Sequence, residues 1–344
     1  MTDRKKILFI TQGNTDHASS RIRCLQYFPS LERSGYTCTW IPRIPVRKGS
    51  FFDRFLVFPF QKRVNHLRIF LGILLMPYHI LFIQRIFLPE WLLKTARRRK
   101  KKIVFDFDDA IYYSETDKKA GIKTKNMTGH ADQVIVSSPV LYKYAASFCN
   151  HVELITSPVI VPPGQIPAGE KPFPVIGWVG SEWTSKYLDL LAGVFHELKK
   201  KYAVHFLFVG SKSGILPDIQ PEIIPWSSEK EPELLSRIDI GIMPLPDTPF
   251  EKGKGGYKLF QYMAAGKPVV ASPVGINTLI VKEGVNGFLC RDTGEWYQAL
   301  EKLLQDARLR EQMGNAGYRL AKESYGLEVC FQRLMNVLDK MTNR

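Results

Sequence analysis

One rhythm runs through this sequence twice. Uncharged runs of strand length alternate with helix-length segments on either side of a proline-rich stretch, Ser157–Pro174 (SPVIVPPGQIPAGEKPFP). Proline at that density stops helices and sheet ladders alike, so the stretch divides the chain. Before it, Ile7–Thr11, Thr37–Ile41, His79–Ile83, Ile103–Phe107 and Gln133–Ser137 read as strands, and Ser20–Ser34 as a helix closed by Gly35. After it, the strands fall at Val175–Val179, His205–Val209, Ile238–Met243, Val269–Ala271 and Gly287–Leu289. Ser185–Tyr202, Tyr297–Gln305, Ala307–Glu323 and Leu327–Lys340 have helical periodicity. Short apolar strands alternating with helices imply parallel sheets covered on both faces. The expected class is α/β, with two doubly wound domains facing a cleft, where such folds bind ligands at the carboxyl ends of their strands. The expected boundaries are 1–160, a linker at 161–173, a second domain at 174–326 and a final helix at 327–344 that returns to the first domain.

The densest local signal is Gly253–Gly275 (GKGGYKLFQYMAAGKPVVASPVG). Lys254, Gly255, Gly256 and Lys258 stand where a loop enters a helix, so free backbone N–H groups, the helix dipole and two ammonium groups can converge on an anion. Gly266 and Pro268 end that helix ahead of the strand Val269–Ala271.

At 344 residues the chain suits two domains of about 150 residues each. Its formal net charge is +15, and seven of the positive charges crowd into Lys94–Lys102 (KTARRRKKK). No interleaving of bases with aromatics and no reading helix accompanies them, which argues against nucleic acid as partner and favours anionic lipid and nucleotide diphosphate. Five scattered cysteines without CxxC spacing point to reduced thiols in cytoplasm, and the short apolar run after the N-terminus argues against export.

Ile69–Gln84 is the longest uncharged run, and Pro77 and His79 interrupt it before it is long enough to span a bilayer. Phe51, Phe52, Phe55, Leu56, Phe58 and Phe60 precede it among Arg54, Lys62, Arg63 and Arg68. That mixture suits a helix lying in a lipid headgroup layer; a core helix over Leu67–Met76 is the alternative.

The motifs GWVG (Gly177–Gly180), TSKYL (Thr184–Leu188), DIGIMP (Asp239–Pro244), KLFQYMAAGKPVVASPVG (Lys258–Gly275) and GVNGFLC (Gly284–Cys290), in that order, resemble the retaining, nucleotide-sugar-dependent glycosyltransferases of family 4. ILFITQG, SSRIR, DFDD and VIVSS extend the resemblance more loosely through the first half. It implies the GT-B fold of two Rossmann-like domains and transfer of a sugar from a nucleoside diphosphate donor to a saccharide or lipid-linked acceptor. No cofactor or metal is then required, and surface polysaccharide or glycolipid synthesis at the inner, cytoplasmic face of a membrane is the natural setting for such an enzyme; the basic charge separately suggests peripheral attachment to an anionic surface.

Carried onto this sequence, the resemblance sets Lys254 and Lys258 against the donor diphosphate as catalytic cations, with Gly255 and Gly256 lending N–H groups. Gly13, Gly180, Ser181, Thr184 and Lys186 would line the donor, and Trp226 would either stack on the base or simply pack. Relatives often carry two glutamates eight positions apart in this region. Here Gln261 takes the second place and Gly253 the first, with Glu251 two residues earlier. The Gln261 amide would bond ribose hydroxyls, or else face solvent. In the first half, Arg21 and Asp106 would face the acceptor, and Asp108 or Asp109 would reach its hydroxyl; a helix cap is the plain alternative for these acids. A DxD pair can also hold a divalent cation, yet the lysine loop already supplies positive charge. His130, His151 and His205 lack partner spacing and read as structural. A nucleotide-sugar epimerase of the same fold and a non-catalytic membrane-associated scaffold are the competing readings.

Overall fold

A computed structural model of the protein describes residues 4–44, 58–164 and 172–342. Contacts divide the chain into two units: Met1–Ser157 with Gly253–Gly255 and Cys330–Arg344, and Pro158–Lys252 with Gly256–Val329.

The first unit is built on β1 (Lys5–Thr11), β2 (Tyr36–Pro42), β3 (Ile80–Gln84), β4 (Lys102–Phe107), β5 (Gln133–Val136) and β6 (Val152–Leu154). They form one six-stranded parallel sheet in the order β2-β1-β3-β4-β5-β6. Ile7–Ile10, Ile80–Ile83 and Ile103–Phe105 are buried along their whole length. Helices cover both faces, so these strands are continuous aliphatic and aromatic runs rather than alternating ones. The last helix, Leu327–Thr342, gives Phe331 to this unit, 6.2 Å from the Tyr27 ring, and Cys330, whose sulfur lies 3.7 Å from the Thr156 hydroxyl.

The second unit carries β7 (Val175–Val179), β8 (His205–Val209), β9 (Glu222–Ile224), β10 (Ile240–Met243), β11 (Val269–Ala271) and β12 (Gly287–Leu289). These pair in parallel in the order β12-β11-β10-β7-β8-β9. One core joins Val179, Leu207 and Val209 to Leu259, Phe260 and Met263 of the helix Tyr257–Ala264. The other joins Trp178, Phe206 and Phe208 to Phe195 and Leu300 from flanking helices. In each sheet the strand order reverses once, between β1 and β3 and between β7 and β10. The crevice at the carboxyl ends of those strand pairs is where open α/β sheets take ligands.

Several expected elements differ from the structure. Ser20–Ser34 is not one helix but Ala18–Arg23, a 3₁₀ turn at Leu25–Tyr27 and Phe28–Arg33. Pro29 brings no N–H and clashes with the turn before it, so the chain restarts a helix with Pro29 in its first turn. Ser185–Tyr202 divides into a 3₁₀ helix, Glu182–Leu191, and an α-helix, Ala192–Lys201. The helix expected from Tyr297 begins at Thr293, because the Asp292 carboxylate caps it by accepting from the Glu295 N–H. Phe51, Phe52, Arg54, Phe55 and Leu56, and residues 165–171 of the proline-rich stretch, lie outside the described residues. All five cysteines are free thiols. No described helix is long and apolar enough to cross a membrane.

Candidate functional site

Two groups of polar side chains collect at the two strand-order reversals, one in each unit. In the second unit β7 ends at Gly180, and Ser181 begins the 3₁₀ helix. Ser181 and Thr184 satisfy each other: the Thr184 hydroxyl accepts from the Ser181 N–H at 3.3 Å, and the two hydroxyls lie 3.2 Å apart. This reciprocal box fixes the loop that leaves β7. Gly180 has no room for a side chain, since a Cβ would lie 2.2 Å from the Trp178 ring and 3.0 Å from Lys258 Cε. The Lys258 ammonium is 4.9 Å from the centroid of the same ring. A buried indole face beneath a half-buried ammonium holds the cation at the mouth of the reversal. Lys186 is exposed and lies over Trp183, with its ammonium 4.6 Å from the ring centre.

The loop after β10 leads to the lysine-bearing helix. Gly256 is its N-cap, with φ of 70°, and a Cβ there would stand 2.4 Å from Ile280 Cδ1. Both the left-handed backbone and the contact demand glycine. Gly256→Ala is therefore expected to destabilise the protein by at least about 1–2 kcal/mol, read as an earlier urea midpoint with unchanged slope. Lys258 sits in the first turn, where the positive end of the dipole adds to its own charge. Lys254 and Gly255 are grouped with the first unit and Gly256 with the second.

Gln261 is only 4% exposed, which overturns the solvent-facing alternative for it. Glu251 is also buried, and both its oxygens are engaged, one by the Tyr187 hydroxyl and the other by the Thr248 hydroxyl. In this structure Glu251 ties the β10 loop to the 3₁₀ helix. Trp226 is half-buried beside the core, and its indole N–H donates to Glu231 at 2.7 Å.

In the first unit the reversal lies between Gly13, after β1, and Arg85, after β3. Asp106 does not face solvent. It is buried against Arg23, whose guanidinium makes a multiple contact with both carboxylate oxygens and donates to the Ile155 carbonyl at 2.6 Å. Burial pushes the Asp106 carboxyl up, Arg23 pulls it down, and the pair is a strut beneath the site rather than an acceptor-facing acid. Asp108 and Asp109 cap no helix. The Arg85 guanidinium donates to Asp108 at 3.0 Å, to Asp109 at 2.9 Å and to the Ser19 hydroxyl at 3.1 Å. Ser19 donates in turn to Asp108 at 2.6 Å. Burial opposes the charge on Asp108, but Arg85, Arg23 and Ser19 together outweigh it and hold the carboxyl below the ordinary aspartate range. Arg21 donates to the Thr15 carbonyl at 3.1 Å, in the loop that leaves β1.

Sequence reasoning missed Arg85, Ser19, Gln84 and His17. Gln84 accepts from the Gln12 N–H and the Ser20 hydroxyl, and Ser20 accepts from the Gly13 N–H at 3.1 Å, which fixes the β1 loop. His17 packs on Gly13; burial, then the Arg85 charge, lowers its pKa, so the ring is neutral at pH 7. The signal that finds Arg85 is its place directly after a buried strand beside the reversal, at a φ of 53°. Among the described residues no group of three or more His, Cys, Asp or Glu side chains is placed to hold a metal ion.

Residues 173–306 match the family described as Glycosyl transferases group 1. Spore coat protein SA of Bacillus subtilis is 29% identical over 84 residues, a stretch that spans 24% of this chain and 22% of that relative. Among solved structures, a sucrose-phosphate synthase from Thermosynechococcus elongatus superposes with a TM-score of 0.75 at 16% identity, covering 99% of this chain and 100% of that one. HepE of Anabaena in complex with UDP-glucose gives 0.71 at 14% identity, covering 97% and 99%. The fold is thus the GT-B fold implied by the motifs.

Proposed function

Since residues 173–306 carry the group 1 glycosyl transferase region, we propose that the protein moves a sugar from a nucleoside diphosphate sugar to a saccharide or lipid-linked acceptor, with retention at the anomeric carbon. One observation carries this: Lys258 stands in the first turn of its helix, beside Gly180 and over Trp178, at the strand-order reversal inside the matched region. A nucleotide-sugar donor is further supported by the HepE structure, which holds UDP-glucose.

In this reading the bond between the anomeric carbon and the diphosphate oxygen breaks, and its electron pair leaves with the diphosphate. Lys258 and the N–H groups at Tyr257–Ala264 offset the charge that grows there, which lowers the barrier because the interaction is stronger in the transition state. Lys254 adds a second ammonium. The acceptor oxygen forms the new bond on the face being vacated, and its proton passes to a phosphate oxygen of the leaving group. No metal is needed for that charge balance. Ser181, Thr184 and Lys186 orient the phosphates, Gln261 and Trp226 the nucleoside, and Asp108 with Asp109 the acceptor hydroxyl. Arg85 is a positioning residue, since it acts by fixing those two acids.

The test is a panel of nucleoside diphosphate sugars with measured nucleoside diphosphate release, followed by NMR of the product's anomeric proton. Acceptor-dependent release with an unchanged anomeric configuration is the expected result. Release or isomerised donor without acceptor would favour the epimerase reading, and absence of binding of any nucleoside diphosphate would rule out catalysis.

A further inference from the structure

The helix Phe58–Leu75 is apolar on two faces, and the first unit covers one of them. Asn65, Ile69 and Ile73 recur at four-residue spacing and are buried; Asn65 also clasps the backbone of Ile44 through its carbonyl oxygen and its amide N–H, both at 2.9 Å. Phe60, Leu67, Leu71 and Leu75 recur at spacings of seven and four on the opposite face, and they are 41–74% exposed. A surface helix of a soluble domain ordinarily places charges on that face. Arg63 and Arg68 are exposed as well, and the helix contains no acidic residue.

The basic cluster lies at the same place. The helix Glu90–Arg98 packs beside this one, with the Trp91 ring 5.3 Å from Phe70 and Trp91 itself 54% exposed. Arg99 then donates to the Ile73 and Leu74 carbonyls at the end of the apolar helix. The run of cations from Arg97 to Lys101 is thereby joined to the end of an exposed apolar stripe. Exposed aliphatics and an aromatic rimmed by cations favour an anionic partner with an apolar interior. A second copy of the chain would fit poorly, because a two-fold contact sets like patches, and so like charges, against each other.

We propose that this face docks on an anionic lipid bilayer, with Phe60, Leu67, Leu71, Leu75 and Trp91 entering the headgroup and acyl boundary and the Arg97–Lys101 run against lipid phosphate. The assignment uses none of the residues given to donor or acceptor, so it stands or fails apart from the transferase reading.

Flotation of the full chain with phosphatidylcholine vesicles, with and without phosphatidylglycerol, tests it. Binding should require phosphatidylglycerol and weaken as salt shortens the Debye length. Leu67→Ser and Leu71→Ser should each weaken partitioning by about tenfold, as loss of a buried leucine predicts. R98Q with K100Q should lower binding several-fold and flatten its salt dependence. Unchanged thermal melting and nucleoside diphosphate binding would show that these variants are folded. As a second readout, vesicles should shift tryptophan fluorescence to the blue, and Trp91→Phe should remove that shift. Failure of the wild type to float with phosphatidylglycerol vesicles overturns the proposal. So does flotation indifferent to both leucines, or a dimer in sedimentation that Leu71→Ser dissolves.

Discussion

Replacing Lys258 with alanine is expected to lower acceptor-dependent nucleoside diphosphate release by about 10²- to 10³-fold, or roughly 3–4 kcal/mol of transition-state stabilisation. The size follows from where the ammonium sits. Its Cε lies beside Gly180 and its ammonium over the Trp178 ring, so the charge is positioned before the reaction and needs little reorganisation during it. An ammonium that bound ground and transition states alike would change KM alone, whereas one that meets developing charge lowers kcat. The check is therefore kcat and KM measured separately, with thermal melting to show that the fold survives. A rise in KM with kcat intact would reassign Lys258 to donor binding only. Lys258→Arg should recover part of the loss, because the charge is kept while the compact point cation is not.

Asp106→Asn is expected to destabilise the first unit by about 3–5 kcal/mol, as much as truncating a buried core phenylalanine. The mutation leaves the buried Arg23 guanidinium charged and without its carboxylate, and that uncompensated charge supplies the cost. Denaturant unfolding gives the number. The double change Arg23→Met with Asp106→Leu should restore most of the stability, because a well-packed apolar pair of similar size avoids the desolvation penalty. If Asp106→Asn costs less than about 1 kcal/mol, the pair is not the buried strut described above. Activity in the double variant is informative in its own right. Arg23 also helps hold Asp108 ionised, so its loss should raise the Asp108 carboxyl toward the ordinary range.

Much of the architecture was legible because burial on both faces leaves a plain mark. Val175–Val179, Phe206–Val209 and Val269–Ala271 are apolar runs closed by turn residues, and the strands Val175–Val179, His205–Val209 and Val269–Ala271 have the expected limits. Val152–Leu154 and Glu222–Ile224 escaped notice because they are three-residue edge strands, half-exposed and without a hydrophobic run. The helix break near Cys24 depended on Pro29, whose effect was hidden beneath a sound helical period. At the sites, types of residue were legible and partners were not. Glu251 meets Tyr187 across 64 positions and Arg85 meets Asp109 across 24, through strand orders that no local pattern encodes. Asp106 looked like one of a set with Asp108 and Asp109, yet it lies inside β4, where Arg23 receives it, while the other two follow the end of the strand, where Arg85 does.

The first unit is discontinuous in sequence, and that has a consequence for synthesis. Its sheet is complete once Ser157 has been made, but its share of the final helix begins only at Cys330. At typical elongation rates of about 5–20 residues per second, the nascent unit waits roughly 10–35 s for that segment, while Tyr27, Tyr36 and Thr156 lack Phe331, Asp339 and Cys330. The second unit needs nothing made later than Val329. The usual N-terminal-first order is thus reversed at the last step: the half made first on the ribosome is the half finished last.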